Sequence, residues 1–183
     1  LEPWNEEDFH FHQGIENVPS SIIKRLNSEY IEERLFGMFL LSLREDKKAI
    51  TADPSFCDIE NLTFQEKIYL AKVLDMELKP MDASPAIEIG HGTAQILYER
   101  FRPIGIEQIG VYLLWFSFFA SILTKRPRLQ KKDAYAAAIE YIWKKLRHQK
   151  ASQKEVAEIY HISPATLRRY IQAIKKEVSG ISI

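Results

Sequence analysis

Residues 151–176 read ASQKEVAEIYHISPATLRRYIQAIKK, two short amphipathic patterns on either side of His161-Ile162-Ser163. Ser152, followed three residues later by Glu155, is a capping-box pattern, and it predicts a helix from about Gln153. Val156, Ile159 and Tyr160 give that helix an apolar side. Ala157 lies between them and provides the small residue that a crossing helix needs. Ser163 can cap a second helix, and Pro164 suits its first position. In this second helix Leu167, Tyr170, Ile171, Ile174 and Val178 recur at helical spacing and form one stripe. The opposite side carries Ala165, Thr166, Arg168, Arg169, Gln172, Lys175 and Lys176.

A helix with one apolar and one cationic side has the dimensions and chemistry to enter a DNA major groove, where Arg bonds guanine bidentately. In that geometry the start of the second helix meets base edges. The residues so placed are Pro164, Ala165, Thr166, Arg168 and Arg169, with Gln172 one turn further on to read adenine or bind phosphate. Lys154, Lys175 and Lys176 suit phosphates, as do Lys144, Lys145, Arg147 and Lys150 upstream.

The wider chain agrees with a polyanionic partner. Residues 1–123 hold 11 Lys+Arg against 20 Asp+Glu, a net of −9, whereas 124–183 hold 14 against 5, a net of +9. Such asymmetry points to a C-terminal part that meets nucleic acid, or to two faces of one fold that attract each other. Just before the quoted stretch, KDAYAAAIEYIWKKLRHQK predicts a strong helix. Tyr135, Ala138, Ile139, Ile142 and Leu146 mark its apolar face, and its alanines let neighbours approach closely.

Residues 153–172, QKEVAEIYHISPATLRRYIQ, resemble the general helix-turn-helix pattern, with Val156, Ala157, Tyr160, Ile162, Leu167 and Tyr170 at its apolar and small positions. His161 stands where that pattern favours Gly; a left-handed conformation there is more accessible to His than to most residues. A longer span, 133–174, is similar to the last three helices of a cyclin-like repeat, nearest to the second repeat of transcription factor IIB. That family's Ala-rich central helix precedes a Ser/Thr-Gln-Lys-Glu-Val/Ile-Ala helix and then a Val/Ile-Ser/Thr-x-x-Thr-Val/Leu-Arg helix. Here Ser152-Gln153-Lys154-Glu155-Val156-Ala157 and Ile162-Ser163-Pro164-Ala165-Thr166-Leu167-Arg168 stand at those places. The likeness covers roughly a quarter of the chain, and nearer half if helices from about Thr93 are counted as the first two of a repeat. It implies that the final helix pair contacts promoter DNA. Residues 1–90 carry no first repeat and no zinc ribbon, so a looser relative with a different N-terminal domain is expected.

Upstream the periodicity is again helical, without β-alternation. SSIIKRLNSEYIEERLFGMFLLSLRED, 20–46, predicts helix with a turn near Asn27 and with Ser28 as the cap of a new helix. Residues 47–61 look irregular. Thr63-Phe64-Gln65-Glu66 is a second capping-box pattern and opens a helix with Ile68, Leu70, Ala71, Val73 and Leu74 as its stripe. Pro80, Pro85, Gly90 and Gly92 make 78–92 the best break, which divides an acidic region, 1–90, from a basic one, 91–183. TAQILYERFRP predicts a helix that stops at Pro103, and the run after it a long buried helix.

Other functions find little purchase. The single Cys57 cannot form an internal disulfide and reads as a small buried residue in a reduced, intracellular, cytoplasmic protein. The chain opens on Leu1, and no signal peptide is expected. IGVYLLWFSFFASIL, 109–123, lies at the lower limit of a membrane span, and a buried central helix is the better reading. His10 and His12, beside Glu6, Glu7 and Asp8, have metal-like spacing but no second cluster, so an acidic terminus is preferred over a metal site. His91 between two glycines fits an anion-binding loop and a helix-connecting turn equally well. No phosphate loop, nucleophile elbow or zinc-protease motif occurs, and neither enzymatic activity nor a cofactor is expected. The expectation is therefore an all-α, multi-helical protein with a C-terminal cyclin-like, helix-turn-helix region. It would bind double-stranded DNA as a transcription regulator, with a protein partner for the acidic N-terminal region. The alternative is an interaction scaffold whose helix pair binds no nucleic acid.

Overall fold

The computed structural model describes residues 17–80 and 84–183, and among them the chain is all-α, with nine α-helices and no strand. In order they are α1 (Pro19–Leu26), α2 (Ile31–Ser42), α3 (Lys47–Thr51), α4 (Phe64–Val73) and α5 (Pro85–Phe101). Then come α6 (Ile109–Ile122), α7 (Lys132–Leu146), α8 (Gln153–Ile159) and α9 (Pro164–Glu177). His10 and His12 lie outside the described residues. Among those described, no group of three or more His, Cys, Asp and Glu residues is placed to hold a metal ion. The chain divides into two compact units, Leu1–Ser84 with Phe101–Ile109 and Pro85–Arg100 with Gly110–Ile183.

In the first unit α2 is the core helix, buried continuously from Leu35 to Leu41 because its run of large apolar residues leaves it no polar face. The capping box predicted at Thr63 is present in full: Glu66 N donates to Thr63 Oγ1 at 3.3 Å, and Thr63 N donates to Glu66 Oε2 at 2.9 Å. The Glu66 carboxylate is fully buried and also receives Arg34 of α2, Nε to Oε1 at 2.6 Å. Burial pushes this carboxyl upward, but the bonds from Arg34 and Thr63 outweigh it and hold the group below its ordinary range. Cys57 is half-buried, and burial raises its thiol above the usual value, which makes it a poor nucleophile.

Two local expectations change here. Residues 47–61 are not irregular throughout, because α3 and a 3-10 turn at Ile59–Asn61 fall within them. Ser28 is not the N-cap of α2; that position is Tyr30, whose N–H donates to Ser28 Oγ at 3.1 Å.

Within the expected break, 78–92, the units divide between Ser84 and Pro85, where α5 begins. Gly90 and Gly92 lie inside α5, which runs unbroken through 90–91, where the boundary between regions is expected. Gly90 is there for packing rather than for a turn: a Cβ on it would stand 2.3 Å from the ring of buried Phe119 on α6. Its carbonyl accepts Trp115 Nε1–H at 2.8 Å. His91 is likewise helical, so the anion-loop geometry is not formed. The apolar segment forms α6 with Trp115, Phe116, Phe118 and Phe119 buried, and no described helix is long and apolar enough to cross a membrane.

The alanine-rich α7 is the centre of this unit. Ala134, Tyr135, Ala136, Ala137, Ala138 and Ile139 are all buried, and both α8 and α9 pack on this helix. Small side chains permit that approach from several directions at native density. Tyr135 joins the layers, its ring 5.4 Å from Trp115 and edge-on at 4.7 Å to Tyr170 of α9.

Candidate nucleic-acid interface

The stretch 151–176 forms the two expected helices with a serine N-cap on each, although of the capping box expected at Ser152 only the bond to the Ser152 side chain is formed. Ser152 Oγ accepts Glu155 N–H at 3.1 Å, and Ser163 Oγ accepts Thr166 N–H at 3.0 Å, with Pro164 opening α9. Between them the chain makes a two-bond C-terminal cap, from Ile162 N to Ala157 O at 3.0 Å and His161 N to Glu158 O at 3.2 Å. His161 adopts the left-handed conformation, φ 55°, that the turn requires. A left-handed L-residue carries a cost of ~1–2 kcal/mol that glycine does not, offset in part by glycine's greater chain entropy. His161→Gly is therefore expected to stabilise the protein by ~0.5–1 kcal/mol, and His161→Val to destabilise it, both measured by urea unfolding. A loss of stability in the glycine variant would mean that the imidazole makes a contact that matters more than the turn.

Burial sorts the α9 residues into the expected faces. Leu167, Tyr170, Ile171 and Ile174 are buried, while Pro164, Ala165, Arg168, Arg169, Gln172 and Lys176 are exposed. Thr166 is half-buried, with its hydroxyl accepting from Ser163 Oγ at 2.9 Å. On α8, Lys154 is exposed and Val156 and Ala157 are buried, but Ile159, expected on the apolar side, is 44% exposed.

The cations separate into engaged and unengaged groups. Lys144, expected on phosphate, instead donates to Glu140 Oε2 at 3.1 Å. Lys175 is half-buried and donates to the Ile183 carbonyl oxygen at 3.2 Å. Lys145 and Arg147 lie over the rings of Tyr141 and Trp143, at 5.6 and 5.5 Å. Among the described residues no carboxylate pairs with Lys154, Arg168, Arg169 or Lys176, whose charges stay available to a polyanion.

A residue that patterning does not single out ties the end of α8 to α7. Glu140 is fully buried on α7 and accepts from three side chains. Arg100 of α5 reaches it with Nε to Oε1 at 2.8 Å, Lys144 with Nζ to Oε2 at 3.1 Å, and Tyr160, at the end of α8, with its hydroxyl to Oε1 at 2.9 Å. Burial pushes the carboxyl up, but those three donors together hold it below its ordinary range. Burial beside this carboxylate raises the Tyr160 hydroxyl above the usual phenol value, so it stays a donor.

A second element is legible in the sequence only as a basic loop. The chain between α6 and α7, 123–131, is fastened to α9 by Lys131 N–H to the Tyr170 hydroxyl at 2.9 Å and by Lys125 Nζ to Glu177 Oε2 at 2.9 Å. Tyr135 of α7 adds a bond from its hydroxyl to Leu129 O at 2.8 Å.

Set beside known protein families, curated proteins and solved structures, the chain matches none of them.

Proposed function

We propose that this chain is a DNA-binding transcription regulator acting through a C-terminal helix-turn-helix formed by α8 and α9. In this reading the N-terminal end of α9 enters the major groove. Arg168, Arg169 and Gln172 face base edges, with Pro164, Ala165 and Thr166 at the approach, and Lys154 and Lys176 hold phosphates. Lys175 is the weaker contact, since its ammonium is already engaged. The observation that carries the proposal is the outward face of α9, which presents exposed Arg168, Arg169, Gln172 and Lys176 with no carboxylate on either Arg or Lys176 among the described residues. Its opposite face is held against α7. Support also comes from the second unit, which holds five helices, α5 to α9, with the alanine-rich helix third, as the likeness to a cyclin-like repeat implies.

The test is binding to a random-sequence duplex across a salt series. Affinity is expected to fall steeply with salt, and Lys154→Ala with Lys176→Ala should flatten the logarithmic slope by about 0.9 for each lost phosphate contact. No binding at low salt would turn the reading towards the alternative, an interaction scaffold. One observation favours that second reading: an open apolar groove of about 550 Å³ on the first unit, lined in part by Phe56, Ile59, Leu70, Leu74 and Met76.

A further inference from the structure

The loop between α6 and α7 carries Lys125, Arg126, Arg128 and Lys131, with Lys132 opening α7, in the run TKRPRLQKK, which holds no acidic residue. Only Lys125 has a carboxylate partner among the described residues, Glu177; Arg126, Arg128 and Lys131 are exposed and have none. The loop does not hang free of the helix pair. Its backbone is bonded to the buried Tyr170 midway along α9, and its first lysine to Glu177, the last residue of that helix.

We infer that this loop is a second anchor on the same duplex, with Arg126 and Arg128 binding backbone phosphates beside the groove that α9 enters. The inference rests on the reading of α9 as the groove-bound helix. From Thr166 to Glu177 the helix rises about 16 Å, at ~1.5 Å per residue, and the major groove is ~12 Å wide. Arg126 and Arg128 lie in the chain between Lys125, bonded to the last residue of α9, and Lys131, bonded midway along it, and the backbone flanking the groove offers a phosphate about every 1.7 Å of axis. Pinning matters energetically. A loop already ordered by three hydrogen bonds, with Pro127 restricting the backbone between the two arginines, loses less freedom on binding than an untethered one.

The experiment measures binding of the full chain to two duplexes, one of random sequence and one enriched by selection from a random pool. Arg126→Ala with Arg128→Ala is expected to weaken binding to both by roughly 10–100-fold at about 0.1 M salt and to lower the salt slope by about 2. The ratio of affinities for the two duplexes should not move. Arg126→Lys with Arg128→Lys should retain binding, because a phosphate accepts a lysine as a point charge. Unchanged affinity in the alanine pair overturns the inference while leaving α9 as the reader. A loss confined to the selected duplex, or a loss in the lysine pair, overturns the phosphate role. Absence of binding by the unaltered chain to either duplex at low salt removes the reading of α9, and this inference with it.

Discussion

Glu140→Ala is expected to destabilise the protein by about 3–5 kcal/mol, the cost of breaking a buried ion pair by deleting one member. The charge removed is fully buried, and it leaves Tyr160 and Lys144 without their acceptor and Arg100 without its bidentate partner. At roughly 2–4 °C per kcal/mol for a chain of this size, the midpoint of thermal unfolding should fall by about 6–20 °C. The pH dependence has a definite sign. Glu140 and Glu66 both titrate below their ordinary range in the folded chain, so their stabilisation is present above the unfolded value, near ~4.3, and is lost as pH falls through the folded value. Unfolding free energy should therefore decline on the acid side of about pH 4, and Glu140→Ala should make that decline shallower. Tyr160→Phe, which removes only one of the donors, should cost about 1–2 kcal/mol. A loss below about 1 kcal/mol in Glu140→Ala would show that the network does not hold α8 in place.

That hub marks the boundary of what patterning reveals. Caps are local chemistry between residues three apart, so Ser152, Ser163 and the full capping box at Thr63 are legible from the chain alone. The same holds for the stripe Leu167, Tyr170, Ile171 and Ile174, because a helix repeats its own faces. Glycines are different. Gly90 looks like a helix breaker, yet it lies within α5 because the Phe119 ring occupies the space of its missing side chain. The partner that decides its role is 29 residues away in the chain. Glu140 is of the same kind. A glutamate on an otherwise apolar stretch, AAAIEYI, is a local irregularity, and that is the one signal the sequence offers. Its meaning depends on Arg100, 40 residues earlier, and Tyr160, 20 residues later. The lysines show the consequence for function. Lys144 and Lys176 are indistinguishable as sequence letters, but one is bonded to a buried carboxylate and the other is exposed without a carboxylate partner among the described residues.

The largest effect on binding is expected from Arg168→Ala combined with Arg169→Ala. The two side chains lie on the second turn of α9, exposed and without a carboxylate among the described residues. In the proposed docking each can bond guanine through O6 and N7, worth about 1–3 kcal/mol of discrimination apiece, so the pair should lose about 2–6 kcal/mol on a selected duplex. On a random duplex the loss should be much smaller, because only their general positive charge is then missing. The ratio between the two duplexes therefore carries the assignment, and the absolute affinity does not. Stability should change little, since neither side chain is buried and neither belongs to the Glu140 network. Singles separate the two roles: the base reader collapses the ratio, whereas a phosphate contact weakens both duplexes alike and lowers the salt slope by about 0.9. If both singles behave as phosphate contacts, α9 binds the duplex without reading it through these arginines. Sequence preference would then have to come from Gln172 or from the shape of the DNA, and an alanine at Gln172 would be the variant that separates those two sources.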